Sequence, residues 1–152
     1  MYCRGAALFH RAQLYKRLKR LFLRAIILFD GVCNLCNGFV RFVIKRDHHD
    51  VFMFGPLQSE KAKQILRQSG YEAHDSGTVV LLYGDRIVTE SDAVLMIVKQ
   101  LRRPWSLLFI FFIVPKFIRD AVYRFVARNR YKLFGQRESC MVPTEDIKDK
   151  FI

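Results

Sequence analysis

Ala25-Ile26-Ile27-Leu28-Phe29-Asp30-Gly31-Val32-Cys33-Asn34-Leu35-Cys36 is the stretch on which the fold turns. Its first five residues form a short, unbroken apolar run stopped by Asp30-Gly31, the pattern of a strand buried on both faces. Past Cys36 the period changes. Phe39, Val40, Phe42, Val43 and Ile44 recur on one side of a helix running to about Arg46. Gly31 permits the tight strand-to-helix turn. Two cysteines, one helical turn apart, therefore open a helix directly after a buried strand.

That placement has chemical content. Cys33 falls at the helix N-terminus, where unpaired backbone N–H groups and the helix dipole favour a thiolate. Thiolate is the nucleophile of disulfide exchange. Cys36 lies one turn deeper and is expected to be the less exposed, resolving thiol. Asp30 has two open readings: a general base for the resolving thiol's proton, or a cap that ties down loop N–H groups. Asn34 and Leu35 sit between the sulfurs and tune their redox poise. A structural zinc site would need a second close ligand pair, which Cys3, Cys140 and the four histidines do not supply. Covalent haem attachment needs His where Asn37 stands, and a phosphatase-type loop needs Arg where Phe39 or Phe42 stands. Two buried, inert cysteines remain the plain alternative.

The rest of the body extends the pattern. Val51-Phe52-Met53-Phe54 reads as a second strand halted by Gly55-Pro56, and Ser59 caps a helix over residues 60–68 that stops near Gly70. Residues 78–83 read as a third strand, turned by Gly84-Asp85 into a fourth, Arg86-Ile87-Val88-Thr89. Ser91 is expected to cap a helix that turns Val94, Leu95, Ile97, Val98 and Leu101 to the core. The order β-α-β-α-β-β-α predicts an α/β domain with a mixed four-stranded sheet, its first two strands parallel and its last two a hairpin.

Two basic regions flank this core, taken as residues 25–103. Residues 1–24 hold Arg4, Arg11, Lys16, Arg17, Lys19, Arg20 and Arg24 with no acid, which is seven of the net +12. They read as a basic tail, disordered or an amphipathic helix, less well as an organelle transit peptide. Residues 104–152 read as a helical C-terminal extension. Within it, residues 105–114 are apolar between Pro104 and Pro115, too short to span a bilayer, and fit a buried helix or one lying on a membrane or partner. Pro115 then starts a second helix. Residues 99–137 carry ten Lys or Arg against one acid, Asp120, so anionic surfaces are favoured contacts. No nucleic-acid recognition motif accompanies the charge.

The motif Asp30-Gly31-Val32-Cys33-Asn34-Leu35-Cys36-Asn37 is similar to the Asp-x-x-Cys-x-x-Cys signature of the DCC family, described as thiol-disulfide oxidoreductases. Phe54-Gly55-Pro56-Leu57-Gln58-Ser59, Ser91-Asp92-Ala93, Arg119-Asp120-Ala121-Val122-Tyr123-Arg124, Ala127-Arg128-Asn129-Arg130-Tyr131 and Phe134-Gly135 resemble later blocks of that family in the right order. The resemblance implies a thioredoxin-like fold and thiol-disulfide exchange at Cys33 and Cys36. It departs from typical thioredoxins before the third strand, where Ser76-Gly77-Thr78 stands in place of a cis-proline. Beside the catalytic set Cys33, Cys36 and Asp30, the residues expected to bind substrate or support the site are Gly31, Asn34, Leu35, Asn37, Pro56, Gly77, Thr78, Arg119, Arg124 and Arg130. The arginines fit a network pinning the terminal helix better than an anion site. The expected cofactor is none beyond the redox-active disulfide, with no metal. Expected partners are a dithiol or disulfide protein or a small thiol. A membrane-docking module that does no catalysis is the rival reading. Without an export signal, a reducing cytoplasm is the expected compartment, with peripheral membrane association as an addition.

Overall fold

A computed structural model describes residues 25–71, 77–84, 86–140 and 143–152 of the chain. The basic segment 1–24, with its tail, amphipathic-helix and transit-peptide readings, lies outside them, as do Cys3, Ser76 and Asp85. Strand β1 (Ala25–Phe29) leads into helix α1 (Asn34–Ile44), strand β2 (Phe52–Pro56) and helix α2 (Glu60–Gln68). Strands β3 (Val80–Tyr83) and β4 (Arg86–Thr89) follow, then helix α3 (Glu90–Lys99). A 3-10 helix (Trp105–Ile113), helix α4 (Lys116–Phe134) and a short 3-10 turn (Lys148–Lys150) complete the described elements.

The sheet order is β2-β1-β3-β4. Strand β1 pairs parallel with β2 and antiparallel with β3, and β3 pairs antiparallel with β4. The order of elements predicted this mixed sheet with helices on its faces, and it is consistent with the thioredoxin-like fold that the resemblance implied. The alternation of β1 divides the core. Ala25, Ile27 and Phe29 face a larger cluster built with Val40 and Val43 of α1 and Ala93, Ile97 and Val98 of α3. Leu28 points the other way, to Ala62 and Leu66 of α2. Each large side chain buried here contributes about 1.5–3 kcal/mol.

Several boundaries differ from expectation for identifiable reasons. Strand β2 runs through Gly55-Pro56 rather than stopping before them; it is an outer strand, and proline's missing N–H is tolerated at the end of such a strand. Strand β3 begins two residues late because the Val79 N–H is taken by the Tyr123 hydroxyl at 2.9 Å. Ser59 does cap α2, accepting the Ala62 N–H. Ser91 does not cap α3: its hydroxyl donates to Asp120 of α4, and the helix begins at Glu90 after Thr89.

The segment 105–114 is neither an α-helix nor buried. Its unbroken apolar run has no 3.6-residue period, so only Trp105 and Phe109 reach the core, Trp105 edge-on to Phe42. The chain's last residues return to the sheet, a contact the sequence does not announce. Ile152 N–H donates to Phe54 O at 2.9 Å, and Phe151 packs on Phe29 and Phe54.

Candidate active site

The site lies where β1 ends and α1 begins. Cys33 is the N-cap of α1, and its Sγ accepts the Cys36 N–H at 3.3 Å. Both residues, like Cys140, carry free thiols. The capping position of Cys33 follows from the strand-turn-helix sequence. The expected order of exposure does not hold. Cys33 is fully buried, whereas Cys36 keeps 8% of its surface and lines a cavity. Residues 135–137 are the cause, because they run across Cys33 as a strap. Arg137 N–H donates to Val32 O at 2.8 Å, and Gln136 forms a bridge with Cys33. The Asn34 side chain closes the strap from both ends, donating to Phe134 O at 3.0 Å and accepting from Arg137 Nε at 3.0 Å.

Burial pushes the Cys36 thiol up strongly; its hydrogen bond with Cys33 and the negative charge of Asp30 act in the same direction, and Arg130 opposes them. Cys36 is thus held protonated next to the capping sulfur.

Asp30 is almost completely enclosed. Its Oδ1 accepts Gln58 Nε2 at 2.8 Å and the Val32 N–H at 3.2 Å. Its Oδ2 accepts Arg130 Nη2 at 3.1 Å and the Tyr131 hydroxyl. Burial alone would raise its pKa, yet these donors, Tyr131 first, hold it below the ordinary aspartate value. These bonds tie Asp30 to the loop backbone, to Gln58 and to α4. Gln58 completes the brace by accepting the Gly31 N–H at 3.1 Å, and Asn37 Nδ2 donates to Gly31 O at 2.9 Å. Gly31 is required by space: a Cβ there would lie 3.0 Å from Pro56 and 3.2 Å from Cys140 Sγ. Pro56 therefore belongs to the loop's packing, and Cys140 lies beside it.

Gly77, where a thioredoxin would approach its proline, is covered by an arginine. A Cβ on Gly77 would stand 2.2 Å from Arg130 Nη1. Burial works against the Arg130 charge, but Tyr131 and Asp30 hold its pKa above the usual arginine value. Arg130 also forms a wall common to two cavities. One, of about 170 Å³, is apolar and opens on Cys36, Leu35, Phe39 and Val79. The other, of about 350 Å³, is bordered by Thr78, Glu90, Arg124 and Arg128. Tyr123 lies between them, its phenol pushed up to about 12 by burial.

The remaining expected residues are farther from the sulfurs in role. Arg119 binds Asp92 at 2.7 Å and Val114 O at 2.8 Å, and Arg124 binds Glu90 at 3.2 Å. Both tie α4 to the start of α3. Sequence reasoning assigned no role to Gln58, Tyr123, Tyr131 or the strap. Gln58 and Tyr131 stand in the blocks that carried the resemblance, and that was the available signal. Tyr123 and Gly135 stand in those blocks too, whereas Gln136 and Arg137 of the strap do not, since main-chain contacts leave little trace in side-chain pattern.

Comparison with known proteins places the chain in a family. A family model described as DCC1-like thiol-disulfide oxidoreductase matches residues 27–136, which contain both cysteines, Asp30, Gln58, Arg130 and Tyr131. The uncharacterized protein YuxK of Bacillus subtilis (strain 168) is 45% identical over 84% of this chain and 93% of its own length. A chloroplastic DCC family protein of Arabidopsis thaliana is 47% identical over 77% of this chain and 69% of its own. No solved structure matches the chain significantly.

Proposed function

Because the chain belongs to the DCC1-like thiol-disulfide oxidoreductase family, we propose that Cys33 and Cys36 form a redox pair that exchanges with the disulfide of a protein or small-thiol substrate. The observation that carries this reading is the contact of the Cys36 N–H with the Cys33 sulfur at 3.3 Å, between two free thiols at a helix start.

The Cys33 thiolate attacks one sulfur of the substrate disulfide. That bond breaks, one substrate thiolate leaves, and a mixed disulfide joins Cys33 to the other half. Cys36 then gives up its proton and attacks the Cys33 sulfur. The second substrate thiol departs, and the Cys33–Cys36 disulfide remains. Two electrons and the Cys36 proton have passed to the substrate, whose first-released thiolate takes its proton from solvent, and a dithiol protein or small thiol returns the electrons. The reverse sequence oxidises a substrate dithiol. Burial keeps Cys36 protonated until the second step, the Asp30 charge adding to it, and Asp30 anchors Arg130 beside the apolar cavity. A reducing compartment, the cytoplasm in our reading, suits a pair that must be recycled.

Attack at Cys33 requires the strap of residues 135–137 to move aside. Asn34→Ala removes both side-chain bonds that hold it, so iodoacetamide should alkylate Cys33 several-fold faster in that variant. Cys33→Ser should abolish exchange with glutathione disulfide, and Cys36→Ser should accumulate a mixed disulfide at Cys33. Undiminished exchange by Cys33→Ser would refute the assignment.

A further inference from the structure

Helix α4 is amphipathic in the wrong sense for a globular domain. Its only buried residues are Asp120 and Arg130, both charged. The opposite face carries Phe117, Ile118, Ala121, Val122 and Phe125, all exposed and within about 140° of arc on a 3.6-residue helix. The 3-10 helix before it does the same: Ile110 and Ile113 are 66% and 82% exposed. The two elements are fastened together, since Arg119 lies over the Phe112 ring at 4.8 Å and donates to Val114 O at 2.8 Å. Ten large apolar side chains between residues 107 and 125 are exposed. Together they expose apolar area on the order of 1,000 Å² over these two neighbouring elements.

We propose that this surface, the 3-10 helix with the outward stripe of α4, docks on an anionic bilayer. The occupant follows from charge. Arg128 and Lys132 adjoin the stripe on α4, Arg124 beside them is paired with Glu90 at 3.2 Å, and the sole acid between residues 99 and 137, Asp120, is buried and paired with Lys116 at 2.9 Å. A second copy of the chain would bring the same basic border against itself, since a two-fold interface is self-complementary. Residues 1–24 would add seven more positive charges and no acid. Both occupants that the chain itself could supply are thus opposed by charge. Acidic headgroups neutralise the border while the aromatic and aliphatic stripe enters the headgroup–acyl boundary. Among the described residues no helix is long and apolar enough to cross a membrane, so the contact is interfacial. The proposal does not depend on the redox reading.

Co-sedimentation of the full chain with vesicles tests it. The protein should pellet with phosphatidylcholine vesicles containing phosphatidylglycerol and much less with phosphatidylcholine alone. Raising salt from about 0.1 M to about 0.5 M should weaken binding, as screening requires. The triple variant Ile113→Ser, Phe117→Ser, Phe125→Ser alters only exposed side chains, and should bind at least tenfold more weakly while its thermal unfolding and thiol exchange match wild type. Arg128→Gln with Lys132→Gln should reduce the preference for anionic vesicles. Equal binding by wild type and the triple variant would overturn the proposal. So would a dimer that the triple variant abolishes in the absence of lipid, binding that appears only after removal of residues 1–24, or capture by an acidic polypeptide such as polyglutamate with none by vesicles.

Discussion

Helix α1 turns Val40 and Val43 into the core and leaves Arg41 outside, whereas helix α4 turns Asp120 and Arg130 inward and leaves Phe117 and Phe125 in solvent. The first helix is held by apolar burial, which responds little to pH or salt. The second is held by a polar clamp: Asp92 with Lys116 and Arg119, Asp120 with Ser91 and Lys116, Glu90 with Arg124, and Asp30 with Arg130 and Tyr131. The contrast teaches that the cysteines and the wall facing them rest on different forces. The sulfurs ride on the hydrophobic core, and Arg130, which faces Cys36, rides on an ionic attachment. Conditions that weaken charge pairing should disturb the wall before the sulfurs.

The contrast can be broken first at the core. Phe29→Ala beneath α1 should cost about 3–5 kcal/mol in urea unfolding, as large-to-small changes in a packed interior do. Phe125→Ala on α4 should lie within about 0.5 kcal/mol of wild type. Similar losses for the two would mean that the outward stripe is covered by part of the chain itself.

Next in size is the enclosed ion pair of Asp30 with Arg130. Asp30→Asn leaves Arg130 buried without its counter-charge and should cost about 3 kcal/mol. It should also lower the pH at which Cys36 is alkylated, since the Asp30 charge is one of the influences holding that thiol protonated. A stability loss with an unchanged alkylation profile would confine Asp30 to architecture.

Acid separates the helices more gently. Burial by itself would raise the pKa of Asp30, Asp92 and Asp120, but their hydrogen-bond donors outweigh it and hold all three below the ordinary 3.8. Carboxylates depressed in the folded state stabilise fully above the ordinary value, and the contribution drains away as pH falls below it. Hydrogen exchange should therefore speed up in α4 below about pH 4 while α1 stays protected. Loss of both helices at one pH would argue against separate attachments. The smallest effect is expected at Arg124→Gln, whose exposed pair with Glu90 should change stability by less than about 1 kcal/mol.

The sheet, its strand directions and the position of the cysteines were legible because their signals are local. An apolar run stopped by Asp30-Gly31 can be little else than a buried strand, and the switch to helical spacing after Cys36 places Cys33 at a helix start. What escaped was long-range. The burial of Cys33 comes from residues 135–137, about a hundred positions away, acting through main-chain atoms. The engagement of Asp30 comes from Gln58, Arg130 and Tyr131, whose side chains meet it only in the folded chain. The 3-10 geometry of residues 105–113 was also hidden, because a continuous apolar run has no period to betray a helix type. Ser91 misled for a related reason: a serine before an apolar helix reads as a cap, and a buried aspartate elsewhere had the stronger claim on its hydroxyl.

The most direct test of the redox pair is to equilibrate the purified protein in glutathione buffers of graded potential, quench by alkylation, and read Cys33 and Cys36 separately by mass spectrometry. The account predicts that both sulfurs lose their reactivity together, in one two-electron transition that leaves them bonded to each other. Two sulfurs that titrate independently, or that never join at any potential, would contradict it.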